Sequence, residues 1–214
     1  MDIINTKKLL SLFEKESSGF KFELLKYYNE YIKMVSRRSW AMSLECSVFL
    51  MVLCHYLKPS NILDLGSGFS SFVFRYYSSK LKEQHPIIYS IDTSEVWLEK
   101  SKKFCADFKK REDCFQTWDE LESCNEKKTF KLIFIDIGLK ERETFVETVM
   151  DKFVDDRTVI VFDDFHYDPF RKRVEEILYD YHHNIHDIRN ITLDSGGKKI
   201  RYCGMVDSIK RRNR

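Results

Sequence analysis

Glycine and proline are scarce in this sequence, with 7 glycines and 3 prolines among 214 residues. Because a typical soluble protein contains about 7% glycine, the scarcity excludes collagen-like chains and disordered chains rich in glycine and proline. We therefore expect the remaining glycines and prolines, except Gly19 and Gly204, to mark turns or element boundaries. The glycines are at positions 19, 66, 68, 138, 196, 197 and 204, and the prolines are at positions 59, 86 and 169.

Long hydrophobic runs are also missing. The longest uninterrupted run, residues 48–54, is far shorter than the roughly 20 residues that span a bilayer, and no secretory signal sequence follows Met1. The 6 cysteines contain no CxxC pair, which argues against a zinc ribbon or a disulfide framework. These absences predict a cytoplasmic protein with reduced thiols and no membrane partner.

The charge of the chain is nearly balanced, with 36 basic and 34 acidic residues and a net charge of +2. Four of the basic residues lie in the segment 210–214, so the remainder of the chain is slightly acidic. Domains that bind nucleic acid usually carry a broad basic face, which makes nucleic acid a disfavoured partner here. The basic tail, residues 208–214, keeps an RNA partner open as an alternative.

The first 57 residues show helical hydrophobic periodicity and no strand pattern. We predict helices at 4–16, 20–34 and 40–57, which would form an N-terminal helical cap over residues 1–57. The third helix should end before Pro59, because the residue before a proline avoids the helical conformation.

Beyond Pro59, short hydrophobic strands alternate with helices. The predicted strands are 61–65, 87–91, 114–118, 130–135 and 158–162, and the predicted helices are 69–77, 95–109, 142–153 and 169–181. This alternation is typical of a doubly wound α/β fold with a mostly parallel sheet. Two final segments, 185–193 and 199–206, flank Asp194-Ser195-Gly196-Gly197 and predict a closing antiparallel hairpin.

Carboxylates recur where the predicted strands end. They are Asp64, Asp92, Asp136, Asp163 and Asp164. Ligands of doubly wound sheets bind at the carboxyl ends of the strands, so these residues are candidates for a binding site. The alternative is that one or two of them only cap helices or turns.

The most informative motif is the segment 62–71, ILDLGSGFSS. Gly66 and Gly68 permit a tight turn from strand to helix, where backbone amides face a ligand. The third position of a GxGxxG pattern is occupied by Ser71, so the dinucleotide fingerprint is incomplete and a nicotinamide dehydrogenase is disfavoured. Asp92 ends the neighbouring strand, where a carboxylate can bind ribose hydroxyls.

ILDLGSGFSS followed by IIYSIDTS resembles motif I and the second-strand acid of class I S-adenosylmethionine-dependent methyltransferases. KLIFIDIG and TVIVFDDFH resemble the fourth and fifth strands of that family, and the closing hairpin resembles its reversed last strand. The resemblance covers residues 58–207. It implies a doubly wound, mostly parallel seven-stranded sheet with a C-terminal antiparallel hairpin, preceded by the helical cap.

The resemblance also implies that the cofactor is S-adenosylmethionine. Gly66, Ser67 and Gly68 would contact its amino-acid part, and Asp64 would order this loop and the cofactor ammonium group. The remaining cofactor contacts implied by the family are Asp92 to the ribose, Thr93 beside the adenine, Trp118 and Asp119 flanking the adenine, and Asp136 after the fourth strand.

Asp136, Asp163 and Asp164 resemble the metal ligands of catechol-type O-methyltransferases, which implies a Mg²⁺ ion that orients a substrate hydroxyl. The catechol type has asparagine at the position of Asp164, and the alternative is that these aspartates only cap turns. Lys140 and His166 are candidate bases, and Asp136 would take part in catalysis through the metal.

The function implied is methyl transfer to a small-molecule acceptor, with oxygen as the expected acceptor atom. Two alternatives stay open: a methyltransferase-like binding or scaffold protein without turnover, and an RNA or protein methyltransferase.

Overall fold

The computed structural model describes residues 3–110, 112–124, 128–138, 142–194 and 200–212. Its helices are α1 Thr6–Met34, α2 Leu44–Leu57, α3 Phe69–Lys80, α4 Glu95–Phe104, α5 Trp118–Ser123, α6 Arg142–Lys152, α7 Asp168–Leu178 and α8 Arg189–Thr192, and a 3₁₀ helix, Ala106–Phe108, follows α4. Its strands are β1 Asn61–Leu65, β2 Ile87–Asp92, β3 Cys114–Thr117, β4 Leu132–Ile135, β5 Val159–Phe162, β6 Tyr181–His186 and β7 Gly204–Arg211.

In the described residues the seven strands form one sheet in the order β3-β2-β1-β4-β5-β7-β6. Strands β1 to β5 pair in parallel, and β7 lies antiparallel between β5 and β6. The predicted doubly wound, mostly parallel sheet with a C-terminal antiparallel pair is therefore confirmed. The chain order reverses between β1 and β4, and doubly wound sheets bind their ligands at such a reversal.

Both faces of the sheet are covered by helices, so the central strands are hydrophobic on both sides. Ile62 of β1 and Phe134 of β4 face a core that includes the buried sides of α1, α2 and α3. Their neighbours Leu63 and Ile135 face a second core, which includes residues of α5, α6 and α7. The alternation of side chains along each strand thus divides the hydrophobic residues between two layers.

The cap differs from the prediction in its first helix. A single α1 of 29 residues replaces the two predicted helices, and Gly19 lies inside it. A glycine in a helix interior costs about 1 kcal/mol relative to alanine, and the buried residues Leu9, Leu24, Tyr28 and Tyr31 offset that cost. The third predicted helix begins later than expected, because the Ser43 hydroxyl caps α2 by accepting from the Cys46 amide. No helix in the described part is long and apolar enough to cross a membrane.

The end of the chain also differs. The predicted bounds of the closing strands, 185–193 and 199–206, are wrong, because the antiparallel strands are β6 and β7 and α8 lies in the connection between them. The predicted last helix is too long, since α7 ends at Leu178. β6 is an edge strand, where polar side chains face solvent, and its histidines conceal the strand pattern. Gly196 and Gly197 lie outside the described residues.

Candidate active site

A cavity of about 650 Å³ opens at the carboxyl ends of β1, β2, β4 and β5. Five parts of the described chain line it: the turn after β1, the ends of the neighbouring strands, the start of α4, the segment before β7, and the cap. The lining residues are Tyr31, Ser39, Trp40, Ala41, Met42, Gly66, Ser67, Gly68, Phe69, Asp92, Thr93, Trp97, Asp136, Gly138, Asp164, His166, Tyr167 and Arg201.

The turn after β1 requires glycine at position 66. Gly66 has a φ of +96°, and a Cβ there would clash with the backbone carbonyl of Asp136. The Gly66 amide donates to the Ile91 carbonyl (2.8 Å), and the Asp136 amide donates to the Leu65 carbonyl (2.7 Å). These hydrogen bonds hold the ends of β1, β2 and β4 together next to the cavity. At Gly66 the cavity is lined by backbone rather than by a side chain.

Asp64, a buried residue near the end of β1, stabilises this turn. Its fully buried carboxylate accepts hydrogen bonds from the hydroxyls of Ser70 (2.6 Å), Ser71 and Ser90 (3.0 Å). Burial raises the pKa of Asp64 to about 6, although these three hydroxyls lower it. Ser71, which replaces the third glycine of a dinucleotide fingerprint, thus connects α3 to β1. Asp64 itself does not line the cavity, so its predicted contact with the cofactor ammonium stays a prediction.

Asp92 is the carboxylate that enters the cavity from β2. It is 9% exposed, and its two oxygens accept from the Ser67 hydroxyl (3.2 Å) and the Ser94 amide (3.0 Å). Burial raises the pKa of this carboxyl. Because Ser67 belongs to the glycine turn, the hydrogen bond fixes Asp92 relative to that turn. The structure thus brings together the residues predicted for the amino-acid and ribose parts of the cofactor.

Trp118 and Asp119 are not among the described residues that line the cavity, so their predicted contact with the adenine stays a prediction. Trp118 packs on Phe145 with ring centroids 4.2 Å apart, and its indole nitrogen donates to Glu122. Trp97, at the start of α4, lines the cavity together with Thr93. Sequence reasoning missed Trp97 because it treated this segment only as an amphipathic helix.

Arg201 dominates the electrostatics at the end of β5. Its Nη2 lies 3.4 Å from Asp163 Oδ2, its Nε lies 3.2 Å from Asp164 Oδ1, and its Nη1 donates to the Ala41 carbonyl (3.0 Å). Burial lowers the pKa of Arg201, but the charges of the neighbouring aspartates outweigh this effect and raise it. Sequence reasoning missed this residue, because Arg201 is far from the aspartates in the chain.

The residues present do not fit the predicted magnesium ion. Among the described residues, Asp136, Asp163 and Asp164 do not bring carboxylate oxygens within 4.8 Å of one another as a set. Within the described part of the chain, the one group that meets this distance is buried and consists of Asp163, Cys46 and Cys203. Thiols are poor ligands for magnesium, which prefers oxygen. Asp163 and Asp164 are instead paired with the guanidinium of Arg201.

Of the two candidate bases, His166 lines the cavity. Its Nδ1 lies 3.8 Å from Asp164 Oδ1 and has no hydrogen-bond partner in the described structure. Two exposed aromatic residues, Trp40 (71% exposed) and Tyr167 (47% exposed), line the same cavity. Lys140 lies outside the described residues.

The sequence matches no protein-family model, and no curated protein matches it. Solved structures do match the fold. An O-methyltransferase from Bacillus cereus in complex with SAH has a TM-score of 0.64 at 17% identity, covering 90% of this chain and 91% of the other. SAH-bound PaMTH1 from Podospora anserina has a TM-score of 0.65 at 12% identity, covering 98% and 97% of the two chains.

Acceptors vary among the proteins that share this fold. A precorrin-6y C5,15-methyltransferase from Geobacter metallireducens has a TM-score of 0.57 at 15% identity, covering 81% of this chain and 93% of the other. The similarity of fold extends over more than four fifths of this chain in all three comparisons. This chain has the fold of the class I S-adenosylmethionine-dependent methyltransferases.

Proposed function

We propose that this protein transfers a methyl group from S-adenosylmethionine to an oxygen of a small-molecule acceptor. The observation that carries the proposal is the hydrogen bond between Ser67 and Asp92, which joins a glycine turn to a buried carboxylate inside one cavity. A volume of about 650 Å³ lies within the range of roughly 300–1,000 Å³ that is usual for small-molecule sites.

The cavity fits the cofactor at two places. The backbone of Gly66 to Gly68 approaches the cavity without a Cβ at Gly66, which suits close contact with the amino-acid part. Asp92 presents carboxylate oxygens that accept hydrogen bonds from a pair of ribose hydroxyls. S-adenosylmethionine, once bound, supplies an electrophilic methyl group on a positively charged sulfur, which leaves as a neutral thioether.

His166 is the proposed base. In this mechanism it takes the proton of the acceptor hydroxyl as the new carbon–oxygen bond forms, and the proton later passes to solvent. Asp164, 3.8 Å from its Nδ1, stabilises the resulting positive charge on the imidazole ring. The other contribution of the protein is to hold the acceptor oxygen in line with the methyl group.

Two exposed aromatic side chains, Trp40 and Tyr167, line the cavity away from the glycine turn in sequence. We assign them to the acceptor, because such side chains suit a flat, apolar molecule with few polar groups. This composition supports a small molecule rather than RNA or a protein. The name O-methyltransferase, carried by the Bacillus cereus structure, agrees with an oxygen acceptor.

Titration of the purified protein with SAH and with S-adenosylmethionine tests the cofactor. We expect Asp92→Asn to weaken both affinities at least 10-fold, since hydrogen bonds to a charged group contribute about 1.5–3 kcal/mol. Glu95→Gln is the matched control, because Glu95 is exposed on the next turn and does not line the cavity. No binding of either ligand by the wild-type protein would overturn the proposal.

Transfer of a labelled methyl group tests the acceptor. The protein should label members of a panel of phenols, catechols and hydroxy acids, and His166→Gln should slow the transfer at neutral pH while SAH affinity is kept. Labelling of bulk RNA or ribosomal protein alone would contradict the small-molecule acceptor. Tight SAH binding without transfer to any of these would favour a binding protein without turnover.

A further inference from the structure

We propose that Arg201 is the resident cation of this site and takes the place of a divalent metal in holding the acceptor oxygen. The inference rests on the proposed function and specifies its acceptor side. Arg201 lines the cavity together with Asp164 and His166, although it lies more than thirty positions later in the chain, shortly before β7.

The carboxylates of Asp163 and Asp164 already make hydrogen bonds and ion pairs within the protein. Asp163 directs Oδ2 to the guanidinium of Arg201, while its Oδ1 accepts from the Asp164 amide (2.8 Å) and contacts the Cys203 thiol (3.4 Å). Asp164 directs Oδ1 to the same guanidinium. Magnesium requires near-octahedral coordination by oxygens, and these carboxylate oxygens already have protein partners.

The positive charge of Arg201 disfavours a metal ion at the same place. A guanidinium keeps its positive charge at every pH at which proteins are studied. The side chain of Arg201 is 13% exposed and is held on three sides, by two carboxylates and by the Ala41 carbonyl of the cap. A divalent cation bound to the same aspartates would lie beside this fixed charge and be repelled by it.

Arg201 has more hydrogen-bond donors than its contacts within the protein use. A guanidinium has five N–H groups, and the three contacts at Nε, Nη1 and Nη2 use one N–H on each nitrogen. One N–H group on each terminal nitrogen thus has no acceptor among the described residues. These donors suit an acceptor oxygen that carries or develops negative charge, such as a phenol that transfers its proton to His166.

Binding of Mn²⁺, followed by its electron paramagnetic resonance signal, tests the inference without knowledge of the acceptor. The wild-type protein, saturated with SAH, should leave Mn²⁺ free at millimolar concentration. Arg201→Gln should bind Mn²⁺ at least 10-fold more tightly, because it frees Asp163 and Asp164 from their cationic partner. Arg201→Lys should behave like the wild type, because it keeps the charge.

Arg173→Gln is the matched control. Arg173 also bridges two carboxylates, Glu147 and Glu176, but on the surface and away from the cavity. Arg173→Gln should therefore not increase the affinity of the protein for Mn²⁺. Micromolar Mn²⁺ binding by the wild type that disappears in Asp163→Asn would overturn the inference. So would an Arg201→Gln protein that binds SAH normally and gains no affinity for Mn²⁺.

A kinetic measurement separates this inference from the proposed function. With an acceptor that turns over, a chelator should leave the rate unchanged, and Arg201→Gln should lower kcat at least 10-fold with little change in KM for S-adenosylmethionine. Full loss of activity on chelation, restored by Mg²⁺, would contradict the role of Arg201 and leave methyl transfer intact. Failure of SAH to bind would instead overturn the proposed function itself.

Discussion

Asp64 is a single buried carboxylate that accepts several side-chain hydrogen bonds inside the fold. Asp64 has no exposed surface and is surrounded by serine hydroxyls rather than by a cation. Arg75 reaches it only indirectly, since its Nη1 donates to Ser90 (2.8 Å), which in turn donates to Asp64. A carboxylate in this position is held by hydrogen bonds, but burial still disfavours its charged form.

The stability of the protein should therefore depend on the protonation of Asp64. Burial raises its pKa from 3.8 to about 6, so the folded state binds the proton more tightly than the unfolded state. The stabilisation is fully present below the unfolded pKa and is lost as the pH rises through 6. A pKa difference of one unit corresponds to about 1.4 kcal/mol. Protonation of Asp64 should therefore add roughly 3 kcal/mol to the free energy of unfolding at low pH.

Chemical denaturation between pH 4 and 7 checks this expectation. The free energy of unfolding of the wild type should fall over this range relative to that of Asp64→Asn, which cannot titrate. An exposed carboxylate changed in the same way, Asp107→Asn, is the control. A difference between wild type and Asp64→Asn that stays constant across the range would contradict the expectation.

At the scale of elements, the connection from β1 to α3 sets the geometry of the site. Gly66 gives the turn its left-handed conformation, and the adjacent backbone of β4 leaves no space for a Cβ. Asp92 then fixes the turn to the end of β2 through Ser67. The same few residues thus connect three strands and line the cavity.

Gly66→Ala should abolish SAH binding and lower the melting temperature. Alanine at positive φ costs about 1–2 kcal/mol, and the clash with the Asp136 carbonyl adds to that cost. Gly19→Ala is the opposite case, because a Cβ at Gly19 in α1 meets nothing within 4 Å. We expect it to stabilise the protein by about 1 kcal/mol, and thermal denaturation distinguishes the two outcomes. A Gly66→Ala protein with unchanged SAH affinity would show that the turn tolerates a side chain.

The elements near this turn were predictable because their signals are local. Asn61–Leu65 is a hydrophobic strand followed directly by two glycines, and Asp92 ends the next hydrophobic run. Arg201 and Tyr31 have no such signal, since they reach the cavity only after β7 inserts beside β5 and α1 packs across α3. Their positions depend on tertiary packing, which short-range periodicity does not report.

At the scale of the whole molecule, the two ends of the described chain are bound to each other. The Ile4 amide donates to Asp207 Oδ2 (2.7 Å), and His186 Nε2 lies 3.3 Å from Asp207 Oδ1. His186 Nδ1 in turn contacts the Thr6 hydroxyl (2.9 Å) at the start of α1. The long helix that contributes Tyr31 to the cavity is thereby anchored on the edge of the sheet formed by β6 and β7.

Asp207→Ala should destabilise the protein by about 1–3 kcal/mol, the usual cost of leaving a buried donor, here the Ile4 amide, without its acceptor. Proteolysis should then cleave near the start of α1 faster than in the wild type. Asp151→Ala, which removes a half-exposed carboxylate of α6 on the other face of the sheet, is the control. Equal cleavage rates for the two variants would show that Asp207 does not anchor the N-terminal segment.

Negative charge predominates among the described residues that line the cavity, where the carboxylates of Asp92, Asp136 and Asp164 outnumber the guanidinium of Arg201. Burial raises the pKa of the Tyr31 hydroxyl in this cavity, and the charge of Asp136 raises it further. The negative charge attracts a ligand with a positive sulfur, and this attraction is lost once the sulfur is neutral. Each turnover would therefore weaken the hold of the protein on its own product, so that the aspartates around the cavity would promote product release as well as cofactor capture.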